Sequence, residues 1–147
     1  MLTPDALFFL ANTGALLGWA LLVLAPRWHG TRAVVLSGAL PLLLAAGYVV
    51  VIGYQTVAHP APGAGFNSLG QVAALFRQPW ALLAGWIHYL CFDMSVGAWE
   101  TRDAHRRGVP HWALMPCPGA TFLLGPLGLL LYGGVRRCYT RPNAAIS

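Results

Sequence analysis

Four long runs of apolar residues, separated by short polar breaks marked with proline or glycine, organise this chain. The first, from about Asp5 to Leu24, is long enough at about 1.5 Å per residue to cross a bilayer core of about 30 Å. Thr3-Pro4-Asp5 reads as a helix cap with proline in the first turn, and Ala25-Pro26 as its stop. A cleaved signal peptide would want a basic n-region and a shorter apolar core, so this segment is expected to stay. The second run covers 33–54, and the connection from Arg27 to Arg32 is short enough to make the first two helices an antiparallel hairpin. His59-Pro60-Ala61-Pro62-Gly63-Ala64-Gly65 then breaks regular structure, and Ser68 to Arg77 is weakly amphipathic, as a segment lying at the interface would be. The third span is expected at 79–100, with Trp80 and Trp99 where indole rings favour the headgroup level. The fourth, 117–135, is interrupted by Gly125-Pro126; proline removes a backbone donor and clashes with the preceding turn, which predicts a kink. The expected architecture is an all-α integral membrane bundle of four transmembrane helices, a single domain over 1–147 without repeats.

Composition excludes an ordinary soluble domain, since 57% of residues are hydrophobic and 9% charged. A net charge of +5 raises nucleic acid as a partner, but the basic residues are all Arg and lie between or beyond the apolar runs, where anionic lipid headgroups are met. Membrane lipid is therefore the expected partner and nucleic acid is not. The first and third connections carry Arg27, Arg32, Arg102, Arg106 and Arg107; the other side carries Arg77, Arg136, Arg137 and Arg141, a balance too even to orient the chain. Cys91, Cys117 and Cys138 are odd in number and widely spaced, which suggests buried small hydrophobes rather than disulfides or a zinc site.

The chemistry concentrates in the third run. Asp93 lies two helical turns before Glu100, about 10 Å deeper along the axis, where an ionised carboxylate costs on the order of 3 kcal/mol. Something must compensate, or the proton stays on. At about 100° per residue, Trp86, Tyr89, Asp93, Gly97 and Glu100 share one face, while His88, Phe92, Ser95 and Trp99 form a second stripe around the helix. His88 and Asp93 are thus expected to find partners on different neighbouring helices, with Asn12 the first candidate among the polar residues of the other runs. Asp93 is the candidate general acid or base, with His88 or Glu100 as the second proton-transfer group. The competing role for Asp93 and His88 is interhelical hydrogen bonding, and for Glu100 a solvated interfacial anchor beside Arg102. Asp103 with Arg106 or Arg107 reads as a surface ion pair. Haem would need a second intramembrane histidine, and metal ligation by His88, Asp93 and Glu100 is opposed by their divergence around the helix, so no metal and no cofactor are expected.

The segment Leu83-Ala84-Gly85-Trp86-Ile87-His88-Tyr89-Leu90-Cys91-Phe92-Asp93, with Gly97, Arg102-Asp103-Ala104 and Phe122-Leu123-Leu124-Gly125-Pro126-Leu127-Gly128 after it, resembles the abscisic-acid-deficient family of small polytopic membrane proteins. The resemblance covers about Phe66 to Tyr132. Plant members of that family are associated with neoxanthin synthesis, and the brevity and Arg-only basic usage here suit a bacterial-type member in the inner membrane. The resemblance implies a carotenoid or other long isoprenoid ligand in the bilayer and an isomerase-type reaction on a polyene end group. For an epoxide opening coupled to loss of a ring-adjacent proton, an acid and a base are both required. Asp93 with either His88 or Glu100 could supply them, and Trp86, Tyr89, Phe92 and Trp99 could hold the polyene by flat apolar contact.

The rival expectation is a non-catalytic pigment-binding or accessory protein of a carotenoid pathway, because four short helices offer a lateral groove rather than an enclosed cavity. A homodimer could close such a groove, and Gly14, Gly18, Gly47 and Gly85 would permit close helix contact. A transporter is disfavoured, since no two spans are broken at matching positions.

Overall fold

The computed structural model describes residues 3–139, and every regular element among them is helical. Helix α1 (Pro4–Leu24) starts where the sequence signals it: the Thr3 hydroxyl accepts the Ala6 amide at 3.2 Å and Pro4 takes the first helical position. It stops before Pro26, and the Thr31 hydroxyl donates to the carbonyl of Ala25 at 2.7 Å, satisfying part of the helix end. A single helical turn, α2 (His29–Thr31), leads into a π turn over Arg32–Leu36, and α3 (Ala39–Ala58) follows. The second apolar run is therefore not one smooth helix from residue 33. Gly38 adopts φ 91, and Pro41 brings no amide to the turn before it, so the chain re-enters the helix after a local irregularity.

Helix α4 (Leu69–Phe76) is the short segment expected near the interface. Its cap, Ser68, accepts the Gln71 amide at 3.3 Å, while the Gln71 side chain reaches back to the Asn67 amide at 3.1 Å in a variant of the capping box. Helix α5 (Pro79–Arg107) runs a further two turns past the expected end at Glu100. It closes at Gly108, whose φ of 68 lets the Val109 amide return to the carbonyl of Ala104 at 3.0 Å and the Gly108 amide to that of His105 at 3.4 Å, a Schellman closure. After the short α6 (His111–Leu114), the fourth apolar run forms two helices, α7 (Pro116–Leu124) and α8 (Pro126–Cys138). The expected kink is a complete break, because Gly125 takes φ 41 and Pro126 restarts the helix at its first position.

Three stretches are long and apolar enough to cross a membrane, Pro4–Leu24, His29–Ala58 and Pro79–Arg107. The chain is thus an integral membrane protein by the length and composition of its helices. Neither α7 nor α8 alone reaches that length. Outward-facing Phe9, Leu10, Leu42, Leu43, Val50 and Leu130 are the apolar surface that lipid would cover. Arg141, read as a basic flank, lies outside the described residues.

The described chain resolves into two compact units, one made of residues up to Leu17 with Ala39–Phe92, the other of Gly18–Gly38 with the residues from Asp93 on. In the first, the Trp86 indole donates to Asn12 Oδ1 at 3.3 Å and packs 5.8 Å from the Phe8 ring. The Cys91 thiol donates to the carbonyl of Pro41 at 3.3 Å, and the ring of Phe76 lies where a Cβ on Gly85 would be, so α4 rests directly on the α5 backbone. In the second, Ala104, Val109, Leu114, Cys117 and Tyr132 form a buried core, and the indole of Trp19 covers Gly97 and lies 5.5 Å from Phe122.

Gly108→Ala isolates the backbone requirement of the α5 closure, because a Cβ there would meet nothing within 4 Å. The substitution is expected to destabilise by about 1 kcal/mol from the left-handed conformation alone. A thermal unfolding midpoint in detergent, lowered by a few degrees, checks it.

Candidate functional site

Within the second unit, α5 presents two carboxyls on one face. Asp93, Gly97 and Glu100 follow one another at spacings of four and three residues, which keeps them in line and sets the acids about 10 Å apart along the axis. Burial increases along this line, from half-buried Asp93 to Gly97 and Glu100, both buried. Gly97 is the gap between the acids, and a Cβ there would run into the Trp19 indole at 2.6 Å. The aromatic ring thereby seals the space between the two carboxyls from the α1 side.

Glu100 is fully buried, and its partner is the Thr121 hydroxyl on α7, 3.0 Å from Oε1 and 3.2 Å from Oε2. One hydroxyl proton shared between two oxygens fixes the plane of the carboxyl. Thr121 is itself buried and is held against Gly128, where any Cβ would collide with its hydroxyl and backbone. The break in the fourth run makes that approach: after Gly125 the chain folds back tightly enough for the start of α8 to touch the middle of α7. The same turn faces the other acid, since a Cβ on Gly125 would lie 3.1 Å from Oδ1 and 3.3 Å from Oδ2 of Asp93. One backbone feature thus forms a wall for both acids.

Next to this pair, Asp103 Oδ2 accepts from Arg107 Nε at 2.7 Å, Arg136 Nε at 2.9 Å and the Tyr132 hydroxyl at 2.9 Å. At 16% side-chain exposure it is not the surface ion pair expected from its spacing to Arg107, but a half-buried hub that ties α8 to α5. Trp99 completes it, edge-on to Tyr132 at 5.3 Å with the Arg136 guanidinium 5.7 Å over its ring.

The remaining expected site residues are distributed differently. Glu100 was expected at the interface beside Arg102; it is instead buried, because α5 continues past it, and Arg102 turns to the carbonyl of Leu36 at 2.7 Å. His88 is exposed in the first unit, packed against Tyr48 at 5.7 Å and Phe92 at 4.6 Å, whereas in the second unit Asp93 lies at Gly125 and Glu100 on Thr121. Asn12, expected as the partner of Asp93 or His88, instead accepts from the Trp86 indole. Trp86, Phe92 and Trp99 are exposed at 38%, 59% and 37%, and Tyr89 is half-buried, 5.4 Å from Trp86. Sequence reasoning singled out Asn12 among the polar residues of the other runs and missed Thr121, Gly125 and Gly128 as site elements. The signal of the glycines was present in Gly125-Pro126-Leu127-Gly128, where two glycines around a proline mark a backbone that must come close to something. Among the described residues, no three His, Cys, Asp or Glu side chains gather as metal ligands would.

The profile of the family described as ABA DEFICIENT 4-like matches residues 6–132. The match reaches well beyond the segment that carries the resemblance in the sequence, taking in the first two apolar runs as well. No curated protein and no solved structure matches the chain.

Thr121→Val, which keeps the shape and removes the hydroxyl, is expected to cost roughly 1–3 kcal/mol by leaving a buried carboxyl without this donor. Thr121→Ser should recover most of the loss. Unfolding in detergent, followed by tryptophan fluorescence on all three proteins, is the check.

Proposed function

The chain belongs to the ABA DEFICIENT 4-like family, and we propose that it is an intramembrane protein that modifies a carotenoid or another long isoprenoid by acid–base isomerisation. The observation that carries this reading is the pair of acids on α5: half-buried Asp93 against Gly125 and buried Glu100 on Thr121, two titratable groups on one face, walled by one broken helix. Intramembrane acids are costly to keep, and they face the bundle interior where they act. An isomerisation that opens an epoxide needs one proton delivered to oxygen and one removed from the neighbouring carbon, with no net change in atoms. One of the acids acts as proton donor while the other, as carboxylate, accepts.

In this reading α7 and α8 form a turned-back pair rather than one straight crossing, broken at Gly125-Pro126 because the site needs that turn, and the chain sits in a bacterial inner membrane. The polyene lies along the exposed face of α5 that carries Trp99 and Phe92, and Tyr89 and Trp86, on the neighbouring stripe, add contact further along the helix. His88 belongs to that face and contributes to ligand contact rather than to proton transfer. A second copy of the chain covers the face from the lipid side.

A second reading, that the protein binds pigment or assists another enzyme without turnover, is favoured by one feature of the first unit. A cavity of about 580 Å³ is lined by Leu7, Val50, Val51, Tyr54, His59 and Trp80, among others, and no carboxylate of a described residue lines it. Such a cavity suits an apolar ring or chain that is held and not converted.

Expression in carotenoid-accumulating bacterial hosts separates the two. At matched membrane levels, the unmodified chain is expected to yield a new or isomerised pigment by liquid chromatography with mass detection, and Asp93→Asn and Glu100→Gln to lower its yield at least about tenfold, the usual least contribution of a proton-transfer group being larger still. An unchanged pigment profile across several carotenoid backgrounds, with pigment co-purifying with the protein, would select the binding reading.

A further inference from the structure

We infer that the second unit carries a binding site for the phosphate headgroup of an anionic membrane lipid, independent of the acid pair. A cleft of about 590 Å³ is lined by Arg27, Arg32, Arg102, His105, Arg106 and Ser37. Arg27 and Arg32 flank α2, and Arg102 and Arg106 stand one turn apart on α5, so two separate stretches of chain converge four guanidinium groups on one space.

No carboxylate of a described residue lines this cleft. The chain has four acidic side chains, and each lies elsewhere: Asp5 in the first turn of α1, Asp93 at Gly125, Glu100 on Thr121, and Asp103 on Arg107 and Arg136. Arg27, Arg32 and Arg106 make no ion pair or side-chain hydrogen bond with a described residue. Arg102 is half-buried and anchored by its Nη1 on the carbonyl of Leu36 at 2.7 Å, which holds its guanidinium in place while other N–H groups stay available. Converged positive charge without a counter-charge is unfavourable, and an anion carrying more than one charge offsets it. Guanidinium forks match phosphate oxygens in geometry as well as charge.

Position selects a lipid over a soluble phosphate compound. All three membrane-crossing stretches border the cleft: α1 ends at Leu24, just before Pro26 and Arg27, the second begins at His29, and α5 ends at Arg107. The cleft therefore lies at headgroup level, and its volume is larger than a lone phosphate needs. A headgroup with two phosphates uses both pairs of arginines.

The test uses the full chain in uncharged detergent, with bound lipid counted by native mass spectrometry during titration with cardiolipin or phosphatidylcholine, and inorganic diphosphate as competitor. Saturable binding of cardiolipin in preference to phosphatidylcholine is expected. Arg27→Gln with Arg32→Gln should weaken it about tenfold or more, as loss of two phosphate-facing charges implies, while Arg77→Gln with Arg137→Gln should change it less than about twofold. Diphosphate failing to displace cardiolipin confirms a lipid site; saturable diphosphate binding that competes fully would keep the phosphate chemistry but overturn the lipid assignment. Equal losses in the two double variants, or cardiolipin binding that never saturates, would reduce the cleft to general flank electrostatics. If the cleft double variant does not accumulate, the exposed Arg106→Gln against the exposed Arg77→Gln carries the same comparison.

Discussion

Putting a carboxyl wholly inside a membrane helix bundle constrains everything around it, and here the carboxyl is Glu100. Its two oxygens are met by one hydroxyl, from Thr121, and that hydroxyl is where it is because Gly128 leaves room for it. Gly128 comes within reach only because the chain reverses its local direction at Gly125, with φ 41, before Pro126 begins a new helix. An unbroken helix in the fourth run would keep Thr121 and Gly128 two turns apart. The break is thus a requirement of the acid site rather than a flaw in the helix.

Arginines of the second unit differ in whether a carboxylate meets them. Arg107 and Arg136 are both paired with Asp103, which also takes the Tyr132 hydroxyl and so joins the end of α5 to α8. Arg27, Arg32 and Arg106 have no such partner among the described residues. With so few acids in the chain, one aspartate can neutralise only the side on which it stands. The uneven distribution of counter-charge, rather than the number of arginines, distinguishes a structural ion cluster from a surface open to an anion.

In the first unit polar side chains serve packing. Asn12 and Trp86 hydrogen-bond across α1 and α5, and Cys91 donates to a carbonyl of α3, both small additions to contacts that are otherwise apolar. His88, set in the same stretch of α5 as Asp93, packs against Tyr48 and Phe92, whereas Asp93 lies at Gly125. Two residues five positions apart on a helix are about 140° apart around it, so a residue facing α7 and α8 leaves the other facing elsewhere.

Hydrophobic run length and capping chemistry are local properties, and they were legible in the sequence: the all-helical membrane character, the start of α1 at Thr3-Pro4, its stop before Pro26, and a disruption at Gly125-Pro126 all follow from a few neighbouring residues. The two stripes on α5 were equally legible, because helical period alone sets them. What tertiary structure decided was which stripe is covered and by what. Whether Glu100 is an exposed anchor or a buried acid depends on where α7 folds back, and a glycine φ value and the resulting approach of Thr121 cannot be read from spacing. The same holds for Asp103, whose sequence neighbour Arg107 was evident while Tyr132 and Arg136, about thirty positions on, come to it only through the fold. Periodicity assigns a side chain to a face, but burial and partnership belong to whatever packs against that face.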